Sequence, residues 1–221
     1  MKVIDRAVEL QVAIPLDGEV HKGALTLAAG ARGIVLFAHG SGSSRLSTRN
    51  RFVAERLVDA GLATLLFDLL TEIEDRDYAM RFDIELLTRR LLGATTWVRE
   101  QAGTQGLALG YFGASTGAAA ALKAAAALGD TVRAVVSRGG RPDLAMAELP
   151  EVRAPVLLIV GGNDDVVIEL NQSAYARLTG RKELHIVPGA THLFEEPGTL
   201  DEVANLAAGW FARHLGVAQG N

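Results

Sequence analysis

A serine flanked by glycines lies near the middle of the chain, in the stretch Gly113-Ala-Ser115-Thr-Gly117. It fits the pattern G-x-S-x-G, a nucleophile elbow in which a sharp turn between a strand and a helix exposes one hydroxyl. The apolar run 107–112 is typical of a strand, and the alanine-rich run 118–127 is typical of a helix. We therefore predict that Ser115 is a nucleophile. The alternative is a glycine-rich turn without chemistry.

Two later loops could supply the partners that a serine nucleophile needs. A serine hydroxyl requires a general base, and the base requires a carboxylate that orients it. After a strand-turn-helix nucleophile these residues follow in the order acid, then histidine. Asp164 and Asp165 follow the predicted strand 155–160, and His192 follows the predicted strand 183–187. We predict His192 as the base and Asp164 as the acid, with Asp165 as the alternative because it is farther from the strand end.

A loop of small residues follows the apolar run 33–38 and could help to bind an oxyanion. An oxyanion hole needs two backbone N–H groups that point to where negative charge develops. We predict that one is the amide of Thr116, at the start of the helix after the nucleophile. The other is predicted to be the amide of Ser41, because Gly40 and Gly42 allow the backbone to approach a substrate closely.

Three arginines in loops that follow strands are candidates for binding a substrate carboxylate or phosphate. Arg45, Arg138 and Arg141 carry guanidinium groups suited to such anions. The alternative is that they serve solubility and salt bridging, since surface arginines are common. For Arg141 in particular, Asp143 is close enough in sequence to brace its own loop.

The elements that must position these residues alternate along the chain. From residue 33 onwards, apolar runs of strand length alternate with helical patterns. This alternation predicts an α/β fold, with a mainly parallel sheet and helices on both faces. Two short strands over 3–14 and 20–28, joined by a turn at 15–18, add an antiparallel edge and bring the count to about eight. Ligands bind beyond the carboxyl ends of such strands, where all the candidate residues lie.

Composition narrows the classes of function further. The 221 residues suit one domain over 1–221, and 49% apolar residues provide ample material for its core. The net charge of −4 argues against a nucleic-acid partner. The chain has no cysteine, which excludes a thiolate nucleophile and fits a reducing cytoplasm. No signal core and no apolar run of membrane length is present. We expect a cytoplasmic monomer or homodimer that acts on a small molecule, with no membrane partner, cofactor or metal.

Four motifs together resemble the α/β-hydrolase fold superfamily. They are the strand followed by His39-Gly-Ser-Gly, the serine motif at 113–117, Gly161-x-x-Asp164, and Gly-Ala-x-His192-x-Phe. The resemblance covers nearly the whole chain. Within the superfamily the chain looks most like the small, cap-less dienelactone-hydrolase-like group, which includes forms with serine in place of the usual cysteine nucleophile. The loop 137–143 also resembles hydrolases of this group, some of which are fused to a phosphoribosyltransferase domain.

The resemblance implies an open site. Larger members of the superfamily insert a lid between strands, and the two corresponding stretches, 68–80 and 138–150, are short here. We therefore expect a shallow cleft that suits small or extended acyl groups. Together these observations predict a serine hydrolase that cleaves an ester or thioester through an acyl-enzyme. The alternatives are a non-catalytic homologue that binds a ligand in the same cleft, and a perhydrolase or acyltransferase with the same triad.

Overall fold

Strands buried along their whole length form the centre of the sheet. The computed structural model describes residues 2–4 and 7–216, and in three of its strands every residue is buried. The strands are β1 (Lys2–Ile4), β2 (Ala7–Leu16), β3 (Glu19–Ala28), β4 (Gly33–Ala38), β5 (Ala63–Phe67), β6 (Ala108–Ala114), β7 (Val132–Arg138), β8 (Val156–Gly161) and β9 (Lys182–Val187). The α-helices are α1 (Thr48–Asp59), α2 (Ile84–Glu100), α3 (Thr116–Leu128), α4 (Asp165–Arg177) and α5 (Thr199–His214).

The strands lie side by side in the order β1-β2-β3-β5-β4-β6-β7-β8-β9. From β5 to β9 every neighbouring pair is parallel, whereas β1, β2 and β3 form an antiparallel edge. This confirms the predicted α/β class and the antiparallel edge. The described part of the chain has nine strands rather than about eight. The predicted strand 3–14 corresponds to β1 and β2, which pair with each other, and residues 5–6 between them lie outside the described residues.

Helices cover both faces of this sheet. On one face α2 and α3 pack against the sheet through a large cluster of buried residues, to which α4 contributes Ala174. On the other face α1 and α5 pack through a second cluster that includes Phe112, Phe194 and Trp210. Small side chains let α3 approach the sheet closely, because nine of its residues are buried and most of these are alanine. None of the helices in the described residues is long and apolar enough to cross a membrane.

The parallel strands all end at one edge of the sheet, and the loops there carry the candidate residues. The segment between β5 and α2 contains two short 3₁₀ turns, Glu74–Arg76 and Met80–Phe82. The segment between β7 and β8 also contains two, Pro142–Ala145 and Leu149–Glu151. Neither connection contains an α-helix, so no cap covers this edge.

Candidate active site

The serine motif forms the sharp turn that the sequence predicts. Ser115 lies between β6 and α3 with a φ of +50°, a conformation that side chains with a Cβ rarely adopt. Both flanking glycines are required by close contacts. A Cβ on Gly113 would lie 2.4 Å from the Cα of Ala118, and one on Gly117 would lie 2.1 Å from the carbonyl oxygen of Ala38. The strained turn presents Ser115 half-buried at the start of α3.

The loops after β8 and β9 bring Asp164 and His192 together. Nδ1 of His192 lies 2.7 Å from Oδ2 of Asp164, so the ring N–H donates a hydrogen bond to the carboxylate. Two backbone bonds hold the loops side by side, since the amide of Gly162 donates to Val187 and the amide of Asn163 donates to Ala190. The imidazole is 39% exposed and the carboxylate 17%, so the carboxylate is shielded while the ring remains open to a substrate. With Nδ1 donating to Asp164, Nε2 carries a lone pair and can accept a proton.

The carboxylate that the sequence favoured is the one beside the histidine. Asp164 is the residue before α4, a position where an aspartate side chain usually caps the first free amides. Its side chain makes no capping bond and bonds to His192 instead. Asp165 is the first residue of α4 and is exposed. The sequence pattern predicts a helix over 168–179, whereas α4 begins three residues earlier, at Asp165.

The loop after β7 connects the serine to the histidine. Ser115 donates its amide to the carbonyl of Arg138, 3.3 Å away, and accepts at its own carbonyl from the amide of Arg141, 3.0 Å away. A Cβ on Gly139 would lie 3.5 Å from the ring of His192. Within residues 7–216, no hydrogen bond joins the Ser115 hydroxyl to His192, while the bond from His192 to Asp164 is present. In ligand-free hydrolases the bond between nucleophile and base is often long and shortens in the substrate complex.

The glycine loop after β4 lies directly against the serine turn. A Cβ on Gly40 would lie 2.9 Å from Cβ of Ser115, so the backbone of this loop approaches Ser115 closely. The amide of Ser41 donates to the hydroxyl of Thr116 over 3.0 Å. The amide predicted to bind an oxyanion therefore has a protein partner in this state. Gly42, with a φ of +66°, is exposed at the outer side of the loop.

His39 and Asp68 anchor this glycine loop and are not among the predicted triad residues. Nε2 of the buried His39 accepts the amide of Leu69, 2.9 Å away, which requires a neutral ring. Burial lowers the pKa of His39 and keeps the ring neutral. Asp68 accepts the amide of Arg45 over 2.8 Å and also pairs with its guanidinium. Because Asp68 precedes Ser115 in the chain, the expected order of triad residues predicts that it anchors a loop rather than serves as the acid.

The structure gives the three candidate arginines very different surroundings. Arg45 pairs with Asp68, and Arg141 makes two 2.8 Å hydrogen bonds to the carboxylate of Asp143. Arg138 is 7% exposed and faces no carboxylate among the described residues. Its Nη2 lies 3.4 Å from Oδ1 of Asn50, and its Nε and Nη1 have no hydrogen-bond partner within residues 7–216. Burial lowers the pKa of Arg138 to about 10. Anion binding by these arginines stays a prediction.

Sequence reasoning missed two side-chain contacts that hold the site together. The Thr116 hydroxyl accepts the Ser41 amide across 75 residues of chain. The buried Asn171 on α4 donates to the carbonyl of Gly140 over 3.0 Å and so fixes the loop after β7. An asparagine inside a helical pattern gives no local signal of such a contact, because its partner is known only once the fold is known.

The sheet order, the strained serine turn and the strand-end loops define an α/β-hydrolase fold. The family model described as "Dienelactone hydrolase family" matches residues 23–215, and the chain belongs to this family. This membership supports a hydrolase.

The chain is also similar to individual proteins and structures. A crystal structure of dienelactone hydrolase from Anabaena variabilis is 56% identical and superposes with a TM-score of 0.93, covering 95% of this chain and 99% of that one. Est1E from Butyrivibrio proteoclasticus shares the fold at 15% identity, with a TM-score of 0.81 and coverage of 93% and 99%. A Mycobacterium tuberculosis protein named "Putative phosphoribosyl transferase Rv0571c" is 64% identical over 193 residues. That match covers 87% of this chain and 44% of the relative, so the chain spans less than half of that protein.

Proposed function

We propose that this protein is a serine hydrolase that cleaves esters or thioesters of small molecules through an acyl-enzyme. One observation carries the proposal. An aspartate-oriented histidine, with 2.7 Å between His192 Nδ1 and Asp164 Oδ2, lies at the same sheet edge as a serine held in a strained elbow. The order serine, aspartate, histidine along the chain is that of α/β hydrolases. Membership of the dienelactone hydrolase family supports the same chemistry.

The proposed reaction has two halves with the same proton carrier. Ser115 Oγ attacks the carbonyl carbon of the ester while Nε2 of His192 takes its proton. The C–O bond to the alcohol then breaks, and the leaving alcohol takes that proton. Water attacks the acyl-enzyme in the second half, again with His192 as base, and releases the acid and the free serine. Asp164 remains ionised throughout and stabilises the imidazolium.

The oxyanion of each tetrahedral intermediate is proposed to bind at the start of α3. The amide of Thr116 is the first amide after the nucleophile, where free N–H groups and the helix dipole favour negative charge. The amide of Ser41 is the second proposed donor. This amide donates to the Thr116 hydroxyl in the structure. The oxyanion must therefore share the amide with the hydroxyl or replace the hydroxyl as its acceptor. Gly40 and Gly42 line the same loop.

We predict that Thr116→Val lowers kcat for p-nitrophenyl acetate by about tenfold. Valine has nearly the same shape but removes the bond that holds the Ser41 amide in place, so the amide would be displaced from the developing oxyanion. A displacement that costs about 1.4 kcal/mol of transition-state stabilisation corresponds to a tenfold lower rate. The matched control is Thr116→Ser, which keeps the hydroxyl and should restore most of kcat. Steady-state kinetics of both variants, with KM reported separately, make the comparison. An unchanged or higher kcat in the valine variant would show that the Thr116 hydroxyl does not contribute to catalysis.

A fluorophosphonate probe tests the proposed nucleophile directly. Ser115 Oγ would attack the phosphorus, the P–F bond would break, and fluoride would leave as the serine becomes covalently labelled. We expect the mass increase to map to the peptide that contains Ser115, and we expect Ser115→Ala to stay unlabelled. A protein that only binds a ligand in this cleft would not react, so an intact, unlabelled wild type would contradict the proposal.

A further inference from the structure

Three large apolar side chains are exposed on one short segment beside the proposed active site. This rim segment, residues 69–83, connects β5 to α2. Ile73 is 79% exposed, Tyr78 is 71% exposed and Phe82 is 41% exposed. The rings of Tyr78 and Phe82 pack against each other with 4.9 Å between their centroids. Exposed apolar groups that cluster in this way mark binding surfaces more often than single exposed side chains do.

The polar side chains of the rim segment hold it in shape. Arg81 donates from Nε to the carbonyl of Asp75 over 2.6 Å and from Nη2 to its carboxylate over 3.1 Å. Glu74 accepts the amide of Thr71 over 2.8 Å and also accepts from the buried Arg90 over 2.8 Å. Because these bonds fix the backbone, the exposure of the aromatic pair is a feature of an ordered segment.

The rim segment borders the loop that contacts the nucleophile. A Cβ on Gly42 would lie 3.5 Å from Nη1 of Arg81, the residue before Phe82. The amide of Leu69 donates to His39 at the base of the same glycine loop. A substrate that is held at Ser115 and extends over Gly42 would approach the rim segment next to Phe82.

The negative charge around the aromatic pair disfavours an anionic group on the substrate. The rim segment contains five acidic and two basic residues. Arg81 is already paired with Asp75, and Lys22 outside the segment pairs with Glu72. A carboxylate or phosphate on the substrate would be repelled here, whereas an uncharged apolar group would not.

We propose that Tyr78 and Phe82 bind the apolar part of an uncharged ester, so that the enzyme favours apolar acyl or aryl groups over acetyl and anionic ones. This inference rests on the proposed serine hydrolase function. Each methylene that the aromatic pair covers would raise kcat/KM by up to about fourfold, the factor that corresponds to burying one methylene group. An acyl chain that extends four methylenes beyond acetyl and is only partly covered would gain about tenfold.

The test compares p-nitrophenyl hexanoate with p-nitrophenyl acetate as substrates of the wild type and of Tyr78→Ser/Phe82→Ser. A second pair, 2-naphthyl acetate and phenyl acetate, asks the same question of the alcohol side. For each pair, we divide kcat/KM for the larger substrate by kcat/KM for the smaller one. We expect this ratio to be about tenfold lower in the double variant than in the wild type for at least one of the two pairs. Val20→Ser is the matched control, because Val20 is 64% exposed on β3, lies outside the rim segment and is not one of the candidate residues. It should leave both ratios unchanged.

The outcomes separate this inference from the function on which it rests. Both ratios unchanged in a folded double variant would overturn the inference while ester hydrolysis stands. The same fall in Val20→Ser would also overturn it. If the ratios are unchanged and light scattering gives the double variant a smaller particle mass than the wild type, the inference is also overturned. The aromatic pair would then be assigned to a contact between copies of the chain. A wild type that hydrolyses none of the four esters would overturn the proposed function, and the inference with it.

Discussion

Ser115→Ala is expected to lower kcat/KM for p-nitrophenyl acetate by at least about 10³-fold, because it removes the atom that is proposed to form the acyl-enzyme. What remains is the small rate that an oxyanion hole and substrate binding provide by themselves. The measurement is release of p-nitrophenol under conditions that resolve rates close to the uncatalysed background. Circular dichroism and the melting temperature establish that the variant is folded.

Ser173→Ala is the matched control for this experiment. Ser173 is exposed on α4, and its hydroxyl donates to the carbonyl of Glu169 one turn earlier in the same helix. Its removal should leave turnover within about twofold of the wild type. Turnover that persists in a folded Ser115→Ala variant would reject the proposed nucleophile, and with it the acyl-enzyme mechanism.

Asp164→Asn is expected to lower kcat by about 10³-fold. The asparagine amide would donate to Nδ1 of His192, which would place the ring proton on Nε2. A protonated Nε2 cannot accept the proton of Ser115, so the histidine would be held in the wrong tautomer. Steady-state kinetics with p-nitrophenyl acetate measure the loss, and KM should change much less than kcat.

Asp165→Asn offers a comparison that differs by one position only. Asp165 is exposed at the first position of α4, so the substitution should cost little more than a weak helix-dipole interaction and should leave kcat nearly unchanged. If the two variants lost equal activity, or if Asp165→Asn lost more, the acid would have to be reassigned to Asp165.

Much of the fold could be predicted because its determinants are local. The apolar run of β4 predicts a strand buried on both faces, and all six of its residues are buried. The glycines around Ser115 predict a sharp turn, and Ser115 adopts a positive φ there. The prediction of a single strand over 3–14 was wrong, because the structure has two strands there, β1 and β2. A run in which apolar and polar residues alternate does not reveal where one strand ends and the next begins.

Element boundaries near the site were harder to predict because site contacts compete with local rules. Asp164 would ordinarily cap α4 with its side chain, yet that carboxylate bonds to His192. The helix consequently begins at Asp165 without a capping side chain. Neighbouring residues in the sequence do not reveal whether the Asp164 carboxylate caps the helix or bonds to a distant histidine.

The sequence by itself determined the class of fold, the serine turn and the order of the candidate triad residues, because periodicity, glycine placement and chain order are local properties. Only the tertiary structure decided which side chains meet. In the structure Asp68 pairs with Arg45, and the Ser41 amide donates to the Thr116 hydroxyl. Arg138 is buried and faces no carboxylate among the described residues. The first two contacts join residues that are 23 and 75 positions apart in the chain. They depend on how the strands are ordered in the sheet, which no local stretch of sequence specifies.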